Sequence, residues 1–221
     1  MKAYRLLIIA CTLLLPALLP ACAAQTNPPA GAYSPEDVAA LVLDWEHAQH
    51  PALAEDFSLQ VKELPIPGGE ALPDVQVFQV ADGIYQYESF LLQNGDLYPM
   101  GAAFGGMGVN SLLTTDLDGD GAAELIFTYS FGSGIHRSQI GLYAPDDAGG
   151  EMLDSGYAYL GDLTVQPGDE SAAEVWTADP GQQPMLLGTL RLETGPEGRR
   201  FWLEPAAGLS LPVEQNLVTI E

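Results

Sequence analysis

Near its middle the chain contains the stretch Asp116-Leu117-Asp118-Gly119-Asp120-Gly121-Ala122-Ala123-Glu124. Acidic side chains occupy the first, third, fifth and ninth positions, and glycine occupies the sixth. This spacing curls a short loop so that alternate carboxylates converge, and such an oxygen shell suits a hard divalent cation. Calcium tolerates an irregular shell better than magnesium does. The alternative interpretation is an acidic, glycine-rich hairpin turn that is merely solvated.

The charge around this loop favours a bound cation. Four carboxylates within nine residues repel one another, and the sequence contains no Lys or Arg between Lys62 and Arg137. The neighbouring sequence therefore offers no counter-charge. We expect Ca²⁺ as the cofactor of this loop.

The loop does not fit an EF-hand. An EF-hand requires a bidentate Glu at the twelfth position, where this chain has Phe127. It also requires flanking helices, whereas Val109–Thr115 and Glu124–Phe131 have the β-branched and aromatic composition of strands.

A strand, an acidic loop and a second strand, written DLDGDGAAELIF, resemble the FG-GAP/VCBS repeat of extracellular β-rich proteins. The likeness covers about residues 111–131, and at its ninth position the family often has Asp where this chain has Glu124. It implies five calcium ligands: the side chains of Asp116, Asp118, Asp120 and Glu124, and the carbonyl of Ala122. The following run, 129–138, is similar to small bacterial secreted proteins with one such loop, which implies no function.

The N-terminus has the pattern of a secretory signal peptide. Lys2 and Arg5 precede fourteen uncharged, mostly apolar residues, 6–19, fewer than the ~20 that span a bilayer. Leu19-Pro20-Ala21-Cys22 resembles a bacterial lipobox, which implies a signal peptide at 1–21 and lipidation of Cys22. The alternative is ordinary cleavage near Ala23 or Ala24 and a freely secreted protein. The segment 22–33, which contains Pro28, Pro29 and Gly31, is predicted to be a short tether.

Removal of the signal peptide would leave five basic and 30 acidic residues, a formal charge of −25. Such a surface repels nucleic acid and anionic lipid headgroups. We therefore expect membrane attachment through the lipid anchor alone and no nucleic-acid partner. Both cysteines lie at or before the cleavage point, so the mature chain has no internal disulfide.

The chain from residue 34 predicts one helix followed by strands. Ser34-Pro35-Glu36-Asp37 is a helix start with a capping box, and an apolar stripe begins at Val38. His47 lies opposite that stripe and should face water, and His50-Pro51 ends the helix. Strands are predicted at 74–80, 84–93, 109–115, 124–131, 135–143, 157–165, 173–177, 185–193 and 199–204, with a turn at 144–150.

This pattern predicts a mainly β protein, an antiparallel sheet or sandwich of short strands with one N-terminal amphipathic helix, as a single domain over 34–221. The segment 168–175 shares an Ala-Ala-Glu core with the acidic loop. Because it lacks the first two carboxylates and the glycine, we assign it no ion.

The residues favour a noncatalytic role. The β region contains one histidine, His136, no Gly-x-Ser-x-Gly motif and no cysteine. We expect a lipid-anchored protein of the bacterial cell envelope, outside the cytoplasmic membrane, that binds an unidentified protein or glycan. Tyr129, Phe131, Trp176 and Trp202 are candidate contact residues. The alternatives are a calcium-dependent hydrolase that uses His136 or an acidic pair, and a purely structural envelope lipoprotein.

Overall fold

The computed structural model describes residues 33–51, 58–81, 87–101, 107–132, 137–146, 149–169 and 172–210. These residues form one α-helix, a short 3₁₀ turn at Gly69–Ala71 and twelve strands. The elements are α1 (Pro35–Gln49), β1 (Gln60–Leu64), β2 (Val75–Ala81), β3 (Tyr87–Gln93), β4 (Asp96–Pro99), β5 (Gly108–Thr115), β6 (Glu124–Phe131), β7 (Arg137–Asp146), β8 (Gly149–Leu160), β9 (Leu163–Pro167), β10 (Ala173–Thr177), β11 (Leu186–Gly195) and β12 (Gly198–Pro205).

The strands form three antiparallel sheets of four strands each, and every sheet uses four consecutive strands. The first sheet contains β1–β4, the second β5–β8 and the third β9–β12. The prediction of a mainly β, antiparallel protein with one N-terminal helix is confirmed.

Three hydrophobic cores stack these elements into layers. Helix α1 packs on one face of the first sheet through Val38 and Val42, which contact Phe78 and Phe90 among others. A second core joins the other face of the first sheet to the second sheet. A third core joins the second sheet to the third sheet. The order of layers is helix, first sheet, second sheet, third sheet.

Strand β6 lies in the middle of this stack. Leu125 and Phe127 point into the core shared with the first sheet, and Ile126 points into the core shared with the third. Both faces of β6 are therefore covered, which explains why its residues are apolar or buried without the alternation of a half-exposed strand.

Helix α1 begins as predicted. The Ser34 hydroxyl accepts a hydrogen bond from the Asp37 N–H at 3.2 Å, and the Asp37 carboxylate accepts one from the Ser34 N–H at 3.0 Å. These two bonds complete the capping box. The pKa of Asp37 lies below its ordinary value because its carboxylate accepts hydrogen bonds from the Ser34 hydroxyl, at 2.8 Å, and from the Ser34 N–H.

Some strand boundaries differ from the prediction. The predicted strand 157–165 is two strands, because β8 ends at Leu160 and the Asp162 N–H donates to Asp179 Oδ1 at 2.9 Å, which holds the turn before β9. The predicted turn at 144–150 is shorter, since β7 continues to Asp146 and β8 begins at Gly149. The edge strands β1 and β4 were not predicted. Residues 84–86 and 135–136 of two predicted strands lie outside the described residues.

The acidic loop and the similar segment 168–175 occupy equivalent places. The acidic loop joins the first two strands of the second sheet, β5 and β6, and the segment 168–175 includes the connection between the first two strands of the third sheet, β9 and β10. The two connections therefore belong to the same position in successive four-stranded units.

Candidate metal site

The acidic loop closes the hairpin between β5 and β6. The last paired residues are Thr115 and Glu124, so the loop leaves the second sheet at one end and returns directly. Gly119 and Gly121 have φ angles of 77° and 94°, which residues with a Cβ adopt rarely. The glycine at the sixth position thus serves the turn that the sequence predicts.

Three carboxylates converge in this loop. One oxygen from each of Asp116, Asp118 and Asp120 lies within 4.8 Å of the other two, and the cluster could hold a metal ion. Two oxygens on opposite sides of a Ca²⁺ ion are about 4.6–5.2 Å apart, because each bond is about 2.3–2.6 Å long. The spacing of the three carboxylates therefore fits one coordination sphere.

The backbone of the loop folds around the carboxylates. Asp116 accepts hydrogen bonds from the N–H groups of Gly119 at 2.8 Å and Gly121 at 3.0 Å. Asp120 accepts one from the Ala122 N–H at 2.7 Å. An ionised carboxylate has about four lone-pair sites, so these bonds orient the oxygens and leave lone pairs for a cation.

Glu124 lies beside the cluster of three aspartates but outside it. Its side chain is buried, with 3% of the residue exposed, and Oε2 accepts a hydrogen bond from the Leu117 N–H at 2.7 Å. Burial is the main reason that the pKa of Glu124 is raised to about 7; the hydrogen bond from the Leu117 N–H opposes this rise, and the charges of Asp118, Asp120 and Asp116 add to it. The carboxylate of Glu124 is thus held in a site that disfavours its charge.

One contact of the loop comes from a distant part of the chain. The hydroxyl of Thr194, at the end of β11, donates a hydrogen bond to Asp118 Oδ2 at 3.0 Å. The two residues are 76 positions apart, and no local pattern around Thr194 indicates the contact.

The predicted lipidation site, Cys22, and the histidine of the hydrolase alternative, His136, lie outside the described residues. At the end of α1, His47 is partly exposed, in line with its predicted position opposite the apolar stripe, and His50 is exposed. Within the part of the chain that the structure describes, neither histidine belongs to a cluster that could hold a metal, and neither does Asp169 or Glu174 of the similar segment.

The four aromatic candidates for a contact surface lie in different environments. Tyr129 is a core residue between the first and second sheets, and Phe131 packs against that core. Trp176 and Trp202 are partly exposed and alternate with core residues of the third sheet, so both point away from the core. Two of the four candidates therefore remain available for contact with a partner.

Comparison with known proteins adds no family to these observations: no family model, no curated protein and no solved structure matches the chain. Among the described residues, no helix is both long enough and apolar enough to span a membrane. The fold and the loop define a mainly β protein with an acidic cluster that could hold a metal ion.

Proposed function

We propose that this chain is an extracytoplasmic, lipid-anchored protein whose acidic loop binds Ca²⁺ and which acts as a noncatalytic binding or structural module. The observation that carries the calcium proposal is the convergence of the carboxylates of Asp116, Asp118 and Asp120 within 4.8 Å. Without a cation these charges repel one another at short range. A bound cation would attract all three carboxylates and so hold the loop together.

The proposed ligands are the three aspartates together with the Ala122 carbonyl and the Glu124 carboxylate. Glu124 is the buried member of this set, and an adjacent cation would offset the cost of its ionisation. Calcium fits this donor set better than magnesium, which demands a tighter octahedron and keeps several of its waters.

Titration calorimetry of the mature protein tests the calcium proposal. We expect one Ca²⁺ per chain with a Kd of roughly 10⁻⁴–10⁻³ M, the range of extracellular modules, and weaker binding of Mg²⁺. Asp116→Asn should weaken binding, because it removes one charge and retains the size of the side chain. Asp169→Asn, in the equivalent hairpin of the third sheet, is the matched control and should bind as the wild type does. Equal binding by both variants would place the ion elsewhere.

The proposed location rests on the N-terminal sequence. Cys22 follows an apolar run and a lipobox-like segment, and a lipid on Cys22 would hold the domain at the membrane through the tether at 22–33. In a bacterial host, the wild type should incorporate a clickable fatty acid and Cys22→Ser should not. Equal labelling of the two proteins would contradict the anchor.

The proposed binding role is supported by the outward face of the third sheet. Trp176 and Trp202 are partly exposed there, and the guanidinium of Arg200 lies 4.9 Å from the centre of the Trp202 ring. Aromatic and arginine side chains are enriched at protein interfaces. We expect the wild type to retain a protein or glycan from an envelope extract, and a Trp176→Ala, Trp202→Ala double variant to lose it. Equal retention by both proteins would exclude this face as the contact surface.

A further inference from the structure

The acidic loop touches the cores on both sides of the second sheet. Leu117, its second residue, packs against the core between the second and third sheets. Ala123, its eighth residue, packs against the core between the first and second sheets. The shape of the loop therefore affects how three layers meet.

The tip of the β11–β12 hairpin is joined to the second sheet at this end. Thr194 precedes the turn at Gly195, pairs with Arg199 across the hairpin, and donates to Asp118 Oδ2 at 3.0 Å. Arg199 Nη1 lies 3.9 Å from Glu151 Oε2 on β8. Two side-chain contacts thus connect the hairpin tip to the second sheet, one through the acidic loop and one through an ion pair.

The bond from Thr194 uses one oxygen of a proposed metal ligand. Asp118 Oδ2 accepts the hydroxyl hydrogen, while Oδ1 accepts a longer bond of 3.3 Å from the Asp120 N–H. A group that hydrogen-bonds one oxygen of a ligating carboxylate fixes the direction in which the other oxygen faces the metal. The Thr194 hydroxyl is such a group, because it donates to one oxygen of Asp118.

We propose that Thr194 positions Asp118 for the cation and thereby links occupation of the acidic loop to the order of the β11–β12 hairpin. This inference rests on the proposed binding of calcium. Because coupling between two sites is reciprocal, an ordered hairpin strengthens calcium binding, and bound calcium orders the hairpin tip.

The calcium-bound and calcium-free states differ in the side-chain contacts that hold the hairpin tip against the second sheet. With the cation bound, the carboxylates are drawn together and Asp118 is a fixed acceptor for Thr194. Without it, the carboxylates repel one another, and the contact between Arg199 and Glu151, a partly exposed ion pair of small energetic value, remains. The hairpin tip carries Arg199 and Arg200, two of the five basic residues after position 21, so calcium would control the order of two of the few basic side chains of the mature chain.

Amide hydrogen exchange of the mature protein, in 1 mM Ca²⁺ and in chelator, tests this link together with calorimetry. In the wild type, calcium should slow exchange both in the loop, 116–124, and at the hairpin tip, 192–200. In Thr194→Val, calcium should still slow exchange in the loop but not at the hairpin tip. Calcium affinity of that variant should fall about 10-fold, the low end for a residue that supports a metal ligand.

Two further variants separate the hydroxyl from the rest of the side chain. Thr194→Ser retains the donor and should behave as the wild type does. Thr189→Val makes the same change on the same strand, five residues from the loop contact, and should leave calcium affinity and the calcium response of the hairpin tip unchanged.

The outcomes distinguish this inference from the calcium proposal. One outcome is that the wild type binds calcium while calcium slows exchange at the hairpin tip equally in the wild type and in Thr194→Val. In that case the Thr194 hydroxyl does not link calcium binding to the order of the hairpin tip, and the calcium proposal stands. If calorimetry detects no calcium binding to the wild type, the calcium proposal fails and this inference fails with it.

Discussion

Glu124 is the carboxylate of the loop whose surroundings differ most from water. The residue is 3% exposed, and its carboxylate accepts a hydrogen bond from the neutral Leu117 N–H. The aspartates of the cluster are less buried, with Asp116 and Asp118 partly exposed and Asp120 exposed. The loop therefore combines three accessible carboxylates with one buried carboxylate, and these respond differently to pH and to a cation.

The metal-free protein should lose stability as the pH rises because of Glu124. Folding raises the pKa of this group from 4.5 to about 7, so its contribution is fully present below pH 4.5 and is lost as the pH rises through 7. Glu124→Gln keeps an acceptor for the Leu117 N–H and cannot ionise. In chelator at pH 8 we expect this variant to be more stable than the wild type by about 1–3 kcal/mol, with a smaller difference at pH 4.5. Urea unfolding at the two pH values measures this, and an equal difference at both would refute the role of Glu124.

The sequence alone predicted those residues of the site that lie close to one another along the chain, and it did not predict the distant one. Asp116, Asp118 and Asp120 are two residues apart, and a loop with glycine at the sixth position brings them together. Thr194 joins them through the packing of the third sheet on the second, which no local pattern encodes. The sequence around the loop also does not indicate that a basic residue, Arg199, pairs with Thr194 across the β11–β12 hairpin.

At the scale of elements, hydroxyl groups link the second sheet to the third at their β5 and β9 edges. The Val165 N–H donates to Ser111 Oγ at 3.0 Å, and Thr128 Oγ1 donates to the Leu163 carbonyl at 3.0 Å. Ser111 Oγ and Thr128 Oγ1 are 2.8 Å apart, and because the Thr128 hydrogen is used, Ser111 is the donor between them. One continuous chain of hydrogen bonds therefore connects the two sheets. It runs from the Val165 N–H through the hydroxyls of Ser111 and Thr128 to the Leu163 carbonyl.

Thr128→Val should weaken this junction. The change retains the shape of the side chain but leaves the buried Leu163 carbonyl and the Ser111 hydroxyl without their partner. We expect a loss of about 1–3 kcal/mol in the free energy of unfolding, measured by urea denaturation. Thr189→Val, on a partly exposed position of β11, is the control and should change stability by less than half a kcal/mol or so. A Thr128→Val protein as stable as the wild type would show that the chain of hydroxyls contributes nothing.

The elements were predictable where a strong local signal marks their ends. Ser34, Pro35 and Asp37 fix the start of α1, and the acidic loop separates β5 from β6. The break between β8 and β9 was missed although the turn-type pair Gly161-Asp162 interrupts the strand-type residues on either side of it. The side chain that holds this turn, Asp179, lies beyond β10, so no local pattern indicates the contact. The edge strands β1 and β4 are short and carry polar residues or a terminal proline, so their pairing partners rather than their composition determine them.

At the scale of the whole molecule, the excess of acidic residues determines which partners can approach. Five basic residues oppose 30 acidic ones after position 21, and phosphate binding requires Lys or Arg to displace counterions. The mature protein should therefore cause no shift of duplex DNA or RNA in a gel at about 50 mM salt, where screening is weak enough for electrostatic binding to be detected. A shift that disappears as salt is added would contradict this expectation.

Thermal unfolding with and without calcium shows whether the acidic loop binds an ion that stabilises the fold. At 1 mM Ca²⁺ and a Kd near 10⁻⁴ M, binding adds about 1.4 kcal/mol to the stability of the folded state. For a chain of this length that raises Tm by about 3–6 °C, and magnesium should raise it less.

Wild type and Asp118→Ala should be compared in calcium, in magnesium and in chelator. We expect calcium to raise the Tm of the wild type and most of the increase to be absent in Asp118→Ala, which lacks one carboxylate of the cluster. If the wild type melts at the same temperature in calcium and in chelator, the acidic loop is only a turn between β5 and β6.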